Sequence, residues 1–483
     1  ADEKEKRISF SDAMTSIEGV PVSYPVYKTG GIVGTETINY KMLYRTPAKA
    51  KVGQCMFINE KLYSIAKHWL TMGIDKRMGS GNAKIVELSA YAPLTTSTIV
   101  GRLQIPLKNI LILEDQDSFF KTIAKVVEAE DDITTGKKMC VVKDEEFNVK
   151  NTLWDGMGLI ESSLFPEWAN GMMLLRNHFF KMCGFRCYIQ MFFKDWCLQN
   201  DVDYNSYEVT DMFGIKHNLK DIKVITTNNA IKWLKFVPQM GANKREAYLY
   251  WKKVIESDGS IFGIVKTDHE SKLGGVQQMS YQMINTIPCS RSDIYSLSAN
   301  STSYVEALKV DNDRFEEFLR KNAIDINHYE MMADLYQHNK DFANSKWFRN
   351  EKRKIIHAYV NRLRKGKITV EGDNLTVCGN PYALLLYAVG EDWQKDPCFK
   401  KEDNAIQCYT TRFPDNEYIC AIRSPHNSPN NMSYLHNHYS SEMQTYFPFS
   451  KNIVAINCIE TDIQSRCNGM DFDLKMGQLD RNV

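Results

Sequence analysis

The chain has 483 residues, 43% hydrophobic and 25% charged, with a formal net charge of +1. That length exceeds what one core serves and points to roughly two to four domains of a globular protein. The balanced charge excludes a global basic field, although nucleic-acid binding needs only a local cationic stripe.

In chain order, residues 8–120 read as strands punctuated by Gly and Pro turns. GGIVGTETINYKMLYRT and AKIVELSAYAPLTTSTIVGRLQIPLKNILILE are rich in β-branched and aromatic residues. One helix is expected in NEKLYSIAKHWLTMG, with Asn59 as N-cap, Glu60 in the first turn and Gly73 at its end. The acidic stretch 128–138 reads as a surface loop. Short strands follow from 139 to about 237, with a helix-like segment around NGMMLLRNHFFKMC (170–183). Residues 241–258 and 303–364 carry apolar residues at helical spacing, and the segment from Arg349 to Lys367 is strongly basic, with Lys352, Arg353, Lys354, Arg362, Arg364 and Lys365 between. From 368 onward the pattern is β again. The longest apolar runs, YALLLYAVG and IVAINCI, fall short of the ~20 residues of a membrane span. The opening ADEKEKRISF does not read as a secretory signal. Twelve cysteines are scattered with no CxxC pair, the usage of buried, reduced thiols in a cytoplasmic protein.

Two charge clusters could carry chemistry. The cationic one comprises Arg176 and Lys181, five apart, and Lys232 and Lys235, three apart, preceded by the turn Asp155-Gly156-Met157-Gly158. Lys and Arg neutralise triphosphate and nucleic-acid backbone charge, and the glycines permit close backbone approach. On spacing alone, such lysines are more often surface groups whose stems lie along apolar neighbours. The anionic cluster is Asp462, Asp471 and Asp473, with Arg466 between. Alternate residues of an extended stretch share a face, and Mg²⁺ takes carboxylate oxygens while leaving room for substrate phosphates; a bare D-x-D is nevertheless common on solvated edges. The stretch RSPHNSPNNMSYLHNH reads as a rigid irregular loop. Its His426, His436 and His438 lack a fourth zinc ligand at a usual spacing, so polar loop roles are expected of them.

These motifs, in this order, resemble the RNA polymerases built on two double-psi β-barrels. That family includes the eukaryotic RNA-silencing polymerases, their bacterial and phage single-chain relatives and, more distantly, the two large subunits of cellular RNA polymerase. The turn Asp155-Gly156-Met157-Gly158 is similar to the family's DG-x-G. Arg176 with Lys181, and Lys235-Phe236, resemble its Arg–Lys pair and KF strand. Asn380-Pro381 and Arg423-Ser424-Pro425 resemble its NP and R-x-P loops. Asn468-Gly469-Met470-Asp471-Phe472-Asp473 resembles its Asp-x-Asp-x-Asp loop.

The resemblance covers about 151–475 and implies an α+β protein with two double-psi β-barrels joined by a helical connector. The expected divisions are a β-rich N-terminal domain (1–138), a basic first barrel (139–240), a mostly helical connector (241–366) and an acidic second barrel (367–483). It implies nucleotidyl transfer from an NTP to a 3′-hydroxyl on a DNA or RNA template, with Mg²⁺ as cofactor. Asp471 and Asp473 would be metal ligands, with Lys181, Lys232 and Lys235 as further catalytic residues. Arg176, Arg423, Asn380, Arg353 and Lys354 would contact substrate or nucleic acid. One departure stands out: the family's third Asp falls on Lys475, whose ammonium repels Mg²⁺. The strand expected next is replaced by MGQLDRNV, so the second barrel is expected to be truncated and the chain to be a fragment with little activity. A catalytically inactive nucleic-acid-binding remnant and a Mg²⁺-dependent phosphohydrolase or nuclease are the alternatives.

Overall fold

The computed structural model describes residues 20–28, 31–44, 55–78, 84–270, 275–423, 426–472 and 475–480. At the N-terminal end, β1 (Val20–Lys28) and β2 (Gly31–Tyr44) pair antiparallel, and β3 (Met56–Asn59) adds to β2. Asn59 then caps the helix Glu60–Thr71, its Oδ1 accepting from the Lys61 amide at 3.0 Å. The helix stops where Met72 turns left-handed at φ 52°. Residues 85–96, expected as strand, form a helix (Ile85–Tyr91) and a 3₁₀ turn (Ala92–Thr96). Leu88 and Ala92, four apart, are buried, so one helical face meets the core and tertiary packing overrides β propensity.

Strands β4 (Gly101–Gln104) and β5 (Ile110–Leu113) precede a long hairpin, β6 (Asp117–Asp131) and β7 (Lys138–Thr152). The stretch expected as an acidic loop is therefore the hairpin's tip and adjoining strand ends. A two-stranded ribbon is marginal alone. This one is anchored at its base, where Asn151 Nδ2 donates to the carbonyls of Cys458 at 2.9 Å and Thr461 at 2.7 Å.

Next come β8 (Met157–Glu161), β9 (Met172–Asn177) and β10 (Phe180–Cys187), the helix Ile189–Gln199, a small hairpin of β11 (Glu208–Thr210) and β12 (Lys216–Asn218), and β13 (Val224–Thr227). After the helix Lys244–Ser257, β14 (Ile261–Thr267) completes a curled seven-stranded sheet in the order β4-β14-β9-β10-β8-β13-β5. The sheet draws strands from both sides of the divisions expected at 138 and 240: β14 and β5 pair with the open edges at β9 and β13, and β4 adds to β14. The segment expected as helix at 170–183 is the β9–β10 hairpin. Met173, Leu175, Phe180 and Met182 enter one core while Met172, Cys183 and Phe185 enter another. A strand buried on both faces reads as a continuous apolar run and loses its alternation.

The second module begins with β15 (Val276–Gln278), which pairs with β16 (Thr369–Glu371). Between them lie the helices Tyr281–Thr286, Arg291–Val310, Asn312–Lys321, Tyr329–His338 and Lys346–Arg364. The longer ones share a core of Leu308, Phe315, Leu319, Met332 and Phe348. Then β17 (Asp373–Cys378), β18 (Ile406–Tyr409), β19 (Tyr418–Ile422), β20 (Met432–Asn437), β21 (Ile453–Ile456) and β22 (Lys475–Asp480) form a closed barrel in the order β17-β21-β18-β20-β19-β22. The strand expected to be missing is thus present. β22 pairs antiparallel with both β17 and β19, and closing these two edges outweighs its weak strand propensity.

One apolar cluster runs through both sheets, joining Trp154, Met157, Cys183 and Phe185 to Val377, Cys378, Ile453 and Phe472. This shared core holds the seven-stranded sheet and the barrel together. Nine of the twelve cysteines are buried and all are free thiols. Among the described residues, no helix is long and apolar enough to cross a membrane.

Candidate active site

The two sheets meet at the turn before β8. Gly156 sits at φ 80°, in the left-handed region that glycine enters without cost. Its carbonyl accepts from the Cys183 amide of β10 at 2.8 Å, and the preceding carbonyl of Asp155 accepts from the Phe472 amide at 2.9 Å. One turn therefore ties β10 to the acidic loop of the barrel. A third loop closes the junction: the indole of buried Trp154 donates to the Asn380 carbonyl at 2.9 Å. The amide of Gly379 meets Met157 Sδ at 3.3 Å. A Cβ on Gly379 would stand 2.2 Å from the Leu153 carbonyl and 3.1 Å from the Phe472 ring, so only glycine fits.

The acidic loop is shaped from beneath. Arg423, 8% exposed, donates through Nη1 to the carbonyls of Cys467 at 2.6 Å and Asn468 at 3.2 Å. Asn468 and Gly469 turn left-handed at φ 55° and 64°. Asn431 Nδ2 fastens the Arg466 carbonyl at 2.8 Å. These contacts leave Asp471 half-buried with Oδ1 3.8 Å from Arg423 Nη2. Arg423 is thereby a scaffold and counter-charge for the loop. Asp462, grouped with the acidic cluster by sequence, is instead clamped by Arg466, at 2.6 Å from Nη2 and 3.2 Å from Nε. Asp473 lies outside the described residues. Among the described residues, no group of three His, Cys, Asp or Glu could hold a metal ion. The donor available is the Asp471 carboxylate, a hard oxygen ligand of the kind Mg²⁺ takes when substrate phosphates and water complete its shell.

On the cationic side, Arg176 and Lys181 face each other across the β9–β10 register. Met172 and Leu174, four and two residues before Arg176, and Cys183 and Phe185, two and four after Lys181, all pack on the core shared with the barrel. Side chains alternate along a strand, so Arg176 and Lys181 stand on the barrel-facing side of the sheet. The other two lysines are committed elsewhere. Lys232 Nζ donates to the carbonyl of Asn229 in its own turn. Lys235 pairs with Glu87 at 2.9 Å on the surface, and that contact holds its ammonium above the usual value. Asn380 is fully buried. Its side chain spans Asp396 at 3.1 Å, Asn457 at 3.0 Å and the Cys458 amide at 2.8 Å, which makes it a strut and leaves it no group for a substrate. Lys354 pairs with Glu351 at 2.7 Å, whereas its neighbour Arg353 is exposed.

Sequence reasoning passed over Asp115. Its carboxylate gathers the Gln116 amide at 2.9 Å and the Trp154 amide at 3.1 Å on one oxygen. Thr227 Oγ at 2.9 Å and Asn229 Nδ2 at 2.8 Å bind the other. It thus joins the turn that carries Asp155 to the turn that carries Lys232. Burial pushes its pKa up to about 6, against the lowering effect of these four donors. A lone Asp after an apolar strand has no signature, so only its surroundings identify it. The end of the stretch expected as an irregular loop is strand β20, which carries His436; that histidine pairs with Glu402 at 2.8 Å and stacks on Tyr418, and His426 is buried against Thr286.

The fold is thus a curled sheet and a closed barrel sharing one core, with a glycine turn locked to an acidic loop. One solved structure with a similar fold is the RNA-dependent RNA polymerase QDE-1 from Thielavia terrestris, with a TM-score of 0.51 and 10% sequence identity. The match covers 98% of this chain and 46% of that one, so the chain spans less than half of that protein's length. At this identity the likeness is one of fold. No protein-family model and no curated protein matches the sequence.

Proposed function

We propose that the chain carries the paired double-psi barrels of a nucleic-acid-templated RNA polymerase, and that the junction is where NTP and 3′-hydroxyl meet. The observation that carries this reading is the 2.9 Å hydrogen bond from the Phe472 amide to the Asp155 carbonyl. It locks the acidic loop to the sheet whose barrel-facing side bears Arg176 and Lys181. Phosphoryl chemistry of this kind needs positioning and charge stabilisation and no covalent nucleophile. Arg176 and Lys181 would neutralise the triphosphate, Gly156 would let backbone approach it, and Arg423 would keep Asp471 in place. Asp471 and Asp473 would hold Mg²⁺, which when bound offsets charge on the phosphates.

A second reading, nucleic-acid binding without catalysis, draws on Lys475 in place of the family's third Asp. Its other support, a missing final strand, does not survive the presence of β22. Template-dependent incorporation of labelled NTPs distinguishes the two. The unaltered chain is expected to bind Mg²⁺ weakly and incorporate little. Lys475→Asp should raise incorporation, and adding Asp471→Ala should abolish it. Strong synthesis by the unaltered chain would overturn the role given to Lys475, and none by Lys475→Asp would leave the non-catalytic reading.

A further inference from the structure

The helix Lys346–Arg364 buries Phe348, Ile355 and Ile356; the face opposite Phe348 and Ile355, bordered on one side by Ile356, carries an unbalanced row of cations. At 100° per residue, Lys346, Arg349, Arg353 and Arg364, with the imidazole of His357 among them, fall within one arc of about 80° that also takes in the half-buried Val360. All five are exposed, and neighbours in the row are separated by one to two turns over a length of about 27 Å. Among the described residues, no acid pairs with Lys346, Arg349, Arg353 or Arg364. The helix's one acid, Glu351, is engaged by Lys354 at 2.7 Å and His328 at 3.5 Å. By contrast, Lys352 is turned inward to Asn312 at 2.7 Å, and Arg362 reaches Gln278 at 2.9 Å. Exposed Lys365 and Lys367 continue the positive surface past the helix end.

The lysines along the β6–β7 hairpin, by contrast, have carboxylate partners. A row that repels itself and has no carboxylate partner among the described residues is complementary to an external polyanion. We infer that this face is a track for single-stranded nucleic acid, gripped through its phosphates by Lys346, Arg349, Arg353 and Arg364. A single strand can follow a straight row, whereas the phosphates of a duplex wind away from it. No apolar side chain is exposed on the arc, so it lacks the hydrophobic half that an interfacial membrane helix requires. The inference rests on the polymerase reading only for the identity of the polyanion.

The test is binding of a 20-nucleotide single-stranded RNA by fluorescence anisotropy across a salt series. The variant is Arg349→Gln/Arg353→Gln/Arg364→Gln, and the control is Lys121→Gln/Lys125→Gln/Lys143→Gln on the hairpin, an equal change in net charge. Losing three phosphate contacts should lower the slope of log affinity against log salt by about 2 and weaken binding at least tenfold at low salt, with the control unchanged. Equal effects of the two variants, or an unchanged slope in the helix variant, would overturn the track. So would preferential binding of this face to duplex RNA or to phosphatidylserine vesicles. In the Lys475→Asp background, Asp471→Ala keeps the two readings apart, because it should remove synthesis and leave this binding intact.

Discussion

Gly379→Ala tests whether the junction is one mechanical unit. The added methyl would stand 2.2 Å from the Leu153 carbonyl and 3.1 Å from the Phe472 ring. A backbone oxygen cannot rotate away, so relief requires the 153–158 turn and the end of β17 to separate by about 1 Å. Overpacking of this kind costs about 1–3 kcal/mol. The movement also strains the hydrogen bond from Phe472 to Asp155, worth about 1 kcal/mol net. The expected loss of unfolding free energy is therefore about 2–4 kcal/mol, read by urea denaturation. Gly34→Ala serves as the control, since no atom lies within 4 Å of where its methyl would stand; it should change stability by less than about 0.5 kcal/mol. In the Lys475→Asp background, Gly379→Ala should also depress NTP incorporation about a hundredfold, the effect of a 1 Å misplacement at a reacting centre. A Gly379→Ala protein that matched its parent in both stability and incorporation would refute the reasoning.

Asp115 should reveal itself through pH. Its folded pKa of about 6 lies above the ordinary 3.8, so its stabilisation is complete below about pH 4 and is lost as pH rises through 6. The stability of the parent relative to Asp115→Asn should therefore fall by about 2 kcal/mol between pH 4 and pH 7, and a flat difference across that range would show the carboxyl to be solvated. The cations should separate sharply: in the Lys475→Asp background, Lys181→Ala should cut NTP incorporation about 10- to 100-fold, while Lys235→Ala, spent on Glu87, should change it less than twofold. Equal losses would mean that the Lys235–Glu87 pair opens to reach the substrate.

By itself, the sequence determined the order of the chemistry-bearing turns and the helices whose periodicity is local. The Asn59 cap and the cationic surface between Arg349 and Lys367 were legible because each depends on residues within a few positions of one another. What only the tertiary structure decided was where each charged group is used. Lys235 is paired with a residue 148 positions away and Asn380 bonds across 78, and no short-range pattern encodes such choices. The same holds for β9–β10, whose two buried faces erase the alternation that marks a strand. β22, a weak strand by propensity, is fixed by the two open barrel edges it closes. Asp115 belongs to the junction for the same reason: burial and four convergent donors, drawn from three separate segments, exist only once the chain has folded.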